Sequence, residues 1–402
     1  MGYSVVRGGE RAMREAEGLI DAFRKGLVHP ERDDLSAPQP EAIEGGLRFA
    51  VYKVMSEAGI YAPRLAAIAI QQAEGDLMEA AFLLRAFRAC LPRWGTTLPA
   101  DTAEMRAIRR ISAAFKEVPG GQFLGPTRDY TVRLLKEALQ SGSNQQAGGV
   151  ELAADPDLQQ LPAAMPKVAD VLRRCGLVAP LPDSSENAPI HDITMRPMRF
   201  PRPARSARLQ ALARGETGAL TALAYSSLRG YGHVHPTIAE LRVGFVPVRV
   251  IHPELGEEVS IGEILLTECE SIATGVGMIS SHNTKCGPQF ELGYGASFGQ
   301  NETKAIAMSV LDANLSQPQA KGPADDQEFV LYHIDGVESS GFVDHLKLPH
   351  YMLFTSILDR VNAAAEAQAA AESGNLPASG ADTVTSAKVR LMGSVVSKEV
   401  GS

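Results

Sequence analysis

His345 and His350 stand five residues apart in the run from Gly341 to Tyr351, with Pro349 directly before the second. Five is not a spacing that puts two side chains on one helix face, and proline breaks a helix interior. A bend at Leu348 and Pro349 can instead turn both rings toward one point. Neutral imidazole is the commonest metal ligand and also works as a general acid or base near neutral pH. The pair is therefore a candidate site for a divalent ion, zinc first. It is incomplete, because a zinc site takes three or four protein ligands. A third ligand would come from His333, Asp344, elsewhere in the fold or another chain. The alternative is a loop in which both rings only form hydrogen bonds.

Other stretches have the make-up of anion sites. Residues 119–127, PGGQFLGPT, are glycine-rich, with Lys116 before them and Arg128 after. Gly120 and Gly121 would let the backbone approach an anion, and a helix opening at Pro126 would point free N–H groups at it. A tight connection between helices is the other reading, and the order of a P-loop is absent. From Met195 to Arg214 the chain carries Arg196, Arg199, Arg202, Arg205, Arg208 and Arg214 among prolines. The planar guanidinium binds two oxygens at once and suits a triphosphate; a solvated face or an acidic partner is the alternative. Residues 225–236 combine hydroxyls, Arg229, two glycines, His233 and His235, which suits a site loop; a plain turn is the alternative. Residues 254–270 are acid-rich and include Glu263, Glu268 and Glu270. A carboxylate beside a sugar C1′ steadies an oxocarbenium-like transition state, and the alternative for such a run is surface charge. Residues 293–299, GYGASFG, have the wrong spacing for a dinucleotide fingerprint and read as a second anion-binding turn.

The elements that must position these groups read as α+β. A helical N-terminal region is expected over 1–142, a polar linker over 143–165, a mixed α/β region over 166–361 and a disordered low-complexity tail over 362–402. Helices are expected from Pro63 to Ala73, from Asp76 to about Leu91, over Asp101 to Lys116, and from Pro126 to near Gly142. Asp76 and Glu79 have capping-box spacing. Val243 to Ile251 predicts a strand with an edge or bulge at Pro247, and Phe329 to His333 a second strand. Asn301 is placed to cap a helix over Glu302 to Leu315. The 402 residues are enough for two or three domains. The net charge of -8 gives no support to nucleic-acid binding. No apolar run approaches a membrane span, and the charged N-terminus has no signal-peptide core. Cys90, Cys175, Cys269 and Cys286 are scattered without a CxxC pair, which argues against disulfides and an iron–sulfur cluster and fits a reducing cytoplasm.

Several unusual strings occur in one order: VRGGE at 6–10, FLLRAFR at 82–88, RISA at 110–113, VPGGQFLGPT at 118–127, RGYG at 229–232 with His235 and Pro236, ILLTECE at 264–270, and GFVDHLKLPHY at 341–351. In these the chain resembles the I subunits of the bacterial carbon–phosphorus lyase system, over about residues 3–360. The resemblance implies a purine nucleosidase acting on ATP or GTP. With its partners, such a subunit displaces adenine from MgATP with an alkylphosphonate, giving α-D-ribose 1-alkylphosphonate 5-triphosphate. The implied partners are the G, H and J subunits and the ATPase-like L and K proteins. Magnesium enters with ATP, and zinc is implied at His345 and His350. Residues 272–289 look like a family-variable insertion. On chemical grounds Lys116, Gly120, Gly121, Arg128, Arg205 and Arg229 are the expected triphosphate contacts. Glu263 or Glu268 would stabilise C1′, and His235 would serve the leaving purine. The alternative function is a non-catalytic scaffold that holds the complex together.

Overall fold

The computed structural model of the chain describes residues 9–24, 38–131, 165–178, 190–231, 236–273, 289–317 and 322–372. The fold is α+β, with helices first. In chain order the elements are α1 (Gly9–Arg24), α2 (Pro40–Gly46), α3 (Arg48–Ala58), α4 (Pro63–Gln72), α5 (Leu77–Cys90), β1 (Arg106–Ile111), α6 (Val168–Arg174), α7 (Arg205–Arg214), α8 (Thr217–Ser226), β2 (Thr237–Ile251), β3 (Glu258–Ala273), β4 (Glu291–Phe298), α9 (Glu302–Leu315), α10 (Gln327–His333), α11 (Gly336–Asp344) and α12 (Tyr351–Glu372). Contacts divide the chain into two units, Met1–Gly341 and Phe342–Ser402. Most of the expected linker and the end of the expected tail lie outside the described residues. Among the described residues, no helix is long and apolar enough to cross a membrane.

Helices α2 to α5 share one core. Val51, Val54, Met55, Ala66, Ile70 and Leu84 are buried together. Pro63 opens α4 at its first turn, where the missing N–H costs nothing. Asp76 caps α5, accepting from the N–H groups of Met78 and Glu79, as its position predicts.

The four strands form one antiparallel sheet in the order β1-β2-β3-β4. β1 comes from the helical N-terminal region and pairs with β2, so the sheet takes strands from both expected regions. α9 covers one face. Its fit depends on Gly293 and Gly295: a Cβ on either would lie 2.0 or 2.1 Å from a backbone carbonyl of α9. The expected anion-binding turn over 293–299 is therefore mostly strand β4, and these glycines serve helix–sheet contact.

Three further expectations are corrected. The helix expected over Asp101 to Lys116 is a single 3-10 turn at Thr102–Glu104 followed by β1. Met105, Ile108, Ile111 and Phe115 do have helical spacing. Arg109 and Arg110, however, are fully buried and find their carboxylates in distant elements, so tertiary pairing overrides the local period. Residues 126–131 form turns, not the start of a helix, and 132–142 lie outside the described residues. Phe329 to His333 is helical, within α10, where Asp326 accepts from Phe329 N. A five-residue apolar run does not separate strand from helix by periodicity.

Two other readings hold with refinements. Val243 to Ile251 lies within β2. Pro247 stands beyond the last β1 partner, Phe245, and a register shift follows between Val248 and Arg249. α9 begins at Glu302, but the Asn301 side chain does not cap it. Instead its Nδ2 donates to the carbonyls of Tyr52 and Phe298.

Candidate functional site

Side chains two apart on a strand share a face. On β2 and β3 this puts Glu240 with Arg242, and Glu268 with Glu270. The register sets Arg242 opposite Glu268 and Glu240 opposite Glu270. Next door, Tyr294 of β4 faces Glu270, and Arg110 of β1 faces Arg242. The alternate residues Thr267, Cys269 and Ser271 point the other way; Cys269 and Ser271 meet Ser309 of α9, at 3.4 and 3.3 Å. One sheet face is thus covered by α9, and the other carries a layer of buried charge.

Glu268 is the centre of that layer. Its Oε1 accepts from Lys167 Nζ at 2.8 Å, Thr102 Oγ1 at 2.7 Å and the Tyr294 hydroxyl at 3.0 Å. Its Oε2 accepts from Arg242 Nη2, which also donates to the Thr102 carbonyl at 3.0 Å. Burial alone would raise its pKa, but Arg242 and Lys167 outweigh burial and hold it at about 2. Glu270 behaves oppositely. Burial pushes it up to about 7, against Lys167 and with help from the neighbouring Glu268 and Glu240 carboxylates. Its Oε2 has no hydrogen-bond partner, while Lys167 Nζ lies 3.7 Å from its Oε1. Glu240 is fully engaged: Arg110 Nε donates to one oxygen at 2.5 Å and Val168 N to the other at 2.9 Å. The layer thus holds one carboxylate fixed as an anion and a second that is half protonated near neutral pH. Such a pair can stabilise positive charge with one group and deliver a proton with the other. Thr102 and Lys167, both only partly exposed, stand at its edge.

The other expected site residues do not converge on this layer. Glu263 lies on β3 but has the opposite parity to Glu268. It is exposed and pairs with Arg106 at 2.8 Å. His235 lies outside the described residues. Lys116 is exposed on the loop that follows β1. Gly120 and Gly121 have positive φ, and a Cβ on Gly120 would lie 2.9 Å from the Arg110 guanidinium. The loop thereby closes on Arg110, whose Nη1 donates to the Pro119 carbonyl at 2.6 Å. Arg128 lies 4.9 Å over the Phe49 ring. Arg205 donates to Asp312, in the last turn of α9, at 2.6 Å. Arg229 is exposed, 5.7 Å over the Tyr225 ring.

In the unit from Phe342 onward, the His345 and His350 ring centroids lie 5.5 Å apart with the planes inclined at 64°. Nδ1 of His345 contacts the Phe342 carbonyl, and Nδ1 of His350 the Leu348 carbonyl at 2.6 Å. A carbonyl only accepts, so each Nδ1 donates and each Nε2 keeps its lone pair for a metal. Among the described residues no group of three or more His, Cys, Asp or Glu side chains completes a metal site.

Sequence reasoning missed Lys167, Arg242, Glu270 and Tyr294 as partners of Glu268. Alternation over Glu240–Arg242 and Glu268–Glu270 was the available signal for Arg242 and Glu270. Lys167 had none, because only the fold brings it to the sheet.

A family model described as "PhnI: Bacterial phosphonate metabolism protein (PhnI)" matches residues 2–368. The chain is 49% identical over 369 residues to a putative C-P lyase subunit protein, HtxH, of Stutzerimonas stutzeri, covering 90% of this chain and 95% of that protein. It is 45% identical over 361 residues to the alpha-D-ribose 1-methylphosphonate 5-triphosphate synthase subunit PhnI of Escherichia coli (strain K12), with 89% and 96% covered. The subunit of the same name from Rhizobium meliloti (strain 1021) is 44% identical over 376 residues, with 92% and 97% covered.

Proposed function

The chain belongs to the PhnI family of bacterial phosphonate metabolism proteins, and from that premise we propose that it is a synthase subunit that moves ribose 5-triphosphate from ATP to an alkylphosphonate. The observation that carries this reading is the Glu268–Glu270 pair, one carboxylate held ionised and the other titrating near neutral pH. A phosphonate oxygen supplies the electron pair of the new C1′–O bond. The C1′–N bond breaks, its electrons go to the purine, and adenine leaves protonated. Attack opposite the base converts the β-nucleoside to an α-product. Glu268 faces the positive charge that develops at C1′, and Glu270 donates the proton. Magnesium arrives with ATP as part of the substrate. With water in place of phosphonate the same steps give nucleosidase activity on ATP or GTP.

Zinc fits His345 and His350 as two Nε2 ligands, with the remainder from water or a partner subunit. It would supply a Lewis acid or a structural tie there. His345→Ala and His350→Ala are each expected to lower the zinc content of the purified complex; full occupancy in both would remove the pair from metal binding. The partners are the other carbon–phosphorus lyase subunits, and the compartment is the cytoplasm. Exposed Phe342, Leu346, Leu348, Met352 and Phe354 support a partner-covered surface.

The test is Glu268→Gln in the co-expressed complex, with adenine release from MgATP and methylphosphonate followed chromatographically. Turnover is expected to fall about 100-fold, with the KM for ATP little changed. Turnover within threefold of the wild type would sink the assignment.

A further inference from the structure

Lys304 is completely buried, and its Nζ has no hydrogen-bond partner. A buried ammonium without an acceptor is costly, and an oxygen-rich ligand relieves that cost. Lys304 lines a cleft of about 320 Å³ together with Lys53, Thr127, Arg128, Thr217 and Thr303. The cleft opens at the N-terminus of α9, a helix of 14 residues whose preceding Asn301 makes no side-chain cap. Its first-turn N–H groups have no intrahelical acceptors. An uncapped helix start and an orphaned buried cation therefore meet in one cavity.

The carboxylates beside it already have donors. Arg109 holds Glu302 at 3.1 Å and also pairs with Asp129. Glu57 accepts from Thr217 N and Oγ1, at 3.0 and 2.8 Å. Glu216 accepts from Lys53 at 2.9 Å and from Ala219 N at 2.6 Å. The Lys304 ammonium is what remains without an acceptor in the cleft. Burial draws Lys304 down to about 8, against the pull of Glu57, so it remains mostly charged at neutral pH.

We propose that this cleft binds a small tetrahedral oxyanion, a phosphate or a short alkylphosphonate, through Lys304, Arg128 and the first-turn N–H groups of α9. The volume sits at the lower end of small-molecule pockets, which suits a small anion rather than a whole nucleotide. α9 packs on the sheet face opposite Glu268 and Glu270, so this is a second site and not part of the charge layer. The inference rests on this geometry and stands whether or not the transferase reading does.

Isothermal titration of the full chain with inorganic phosphate, with methylphosphonate and with MgATP, each alone and in competition, tests it. Saturable binding of phosphate, methylphosphonate or both is expected. Lys304→Met, which keeps the chain length and removes the charge, should weaken it at least tenfold. Arg128→Ala should weaken it several-fold and, at an exposed position, leaves the fold intact even if Lys304→Met does not. Competition by MgATP would show that a nucleotide phosphate also enters; lack of competition would restrict the site to small anions. No saturable binding, binding of MgATP alone, or affinities within twofold of wild type in every variant that folds would overturn the proposal.

Discussion

Glu268 and Glu270 are two residues apart and of one chemical type, yet their surroundings drive them to opposite protonation states. Arg242, Lys167, Thr102 and Tyr294 all donate toward Glu268 or oppose its proton, whereas Glu270 has one cation at 3.7 Å and an oxygen with no donor. If Glu270 is the proton donor, turnover of the complex falls as pH rises through about 7, and Glu270→Gln loses that limb along with most of the activity. A pH–rate profile that keeps its alkaline limb in Glu270→Gln would exclude the residue as the acid. The same shift has a stability signature. The folded protein holds the Glu270 proton between its ordinary value of 4.5 and about 7, while the unfolded chain releases it. Stability therefore drops as pH rises across that window, by on the order of 3 kcal/mol, and levels off above it. Urea midpoints measured from pH 4.5 to 8 should show a flatter slope in Glu270→Gln than in the wild type. Glu268 acts in the opposite sense: its stabilisation is present above about 4.5 and is lost as pH falls toward about 2.

At the scale of elements, β4 and α9 depend on two missing side chains. Gly295→Ala would place a methyl 2.1 Å from the Ala305 carbonyl, a rigid backbone atom, so the helix must move off the sheet. The expected cost is about 2–3 kcal/mol in urea unfolding, as for overpacked cores. An unchanged midpoint would mean that α9 does not sit directly on β4. The same close packing explains why the glycines of 293–299 look like an anion loop in one dimension. β1 teaches the converse. Its apolar spacing fits a helix, but Arg109 needs Glu302 and Asp129, and Arg110 needs Glu240, and only a strand beside β2 reaches these partners. By contrast, α4 and α5 were legible because Pro63 and Asp76 act within their own first turns.

For the whole molecule, membership of the PhnI family and the exposed apolar residues from Phe342 to Val361 point to work done in an assembly. Phe354→Glu is expected to reduce co-purification with the other subunits several-fold while leaving the thermal midpoint of the isolated chain within about 1 °C, because an exposed residue away from a packed contact contributes little to stability. Unchanged co-purification would move the interface elsewhere. The amino-acid sequence by itself determined the fold class, the family and the Asp76 cap of α5. Each of these is written in contiguous residues, as a cap, a period or a motif string. Tertiary structure alone decided that Arg205 is spent on Asp312, that Glu263 faces away from Glu268, and that Lys167 and Tyr294 converge on Glu268 from 101 and 26 positions away. The reason is physical: a charge's protonation state and role depend on the buried partners and the lost water around it, and those are fixed by strand register and helix packing rather than by neighbours along the chain.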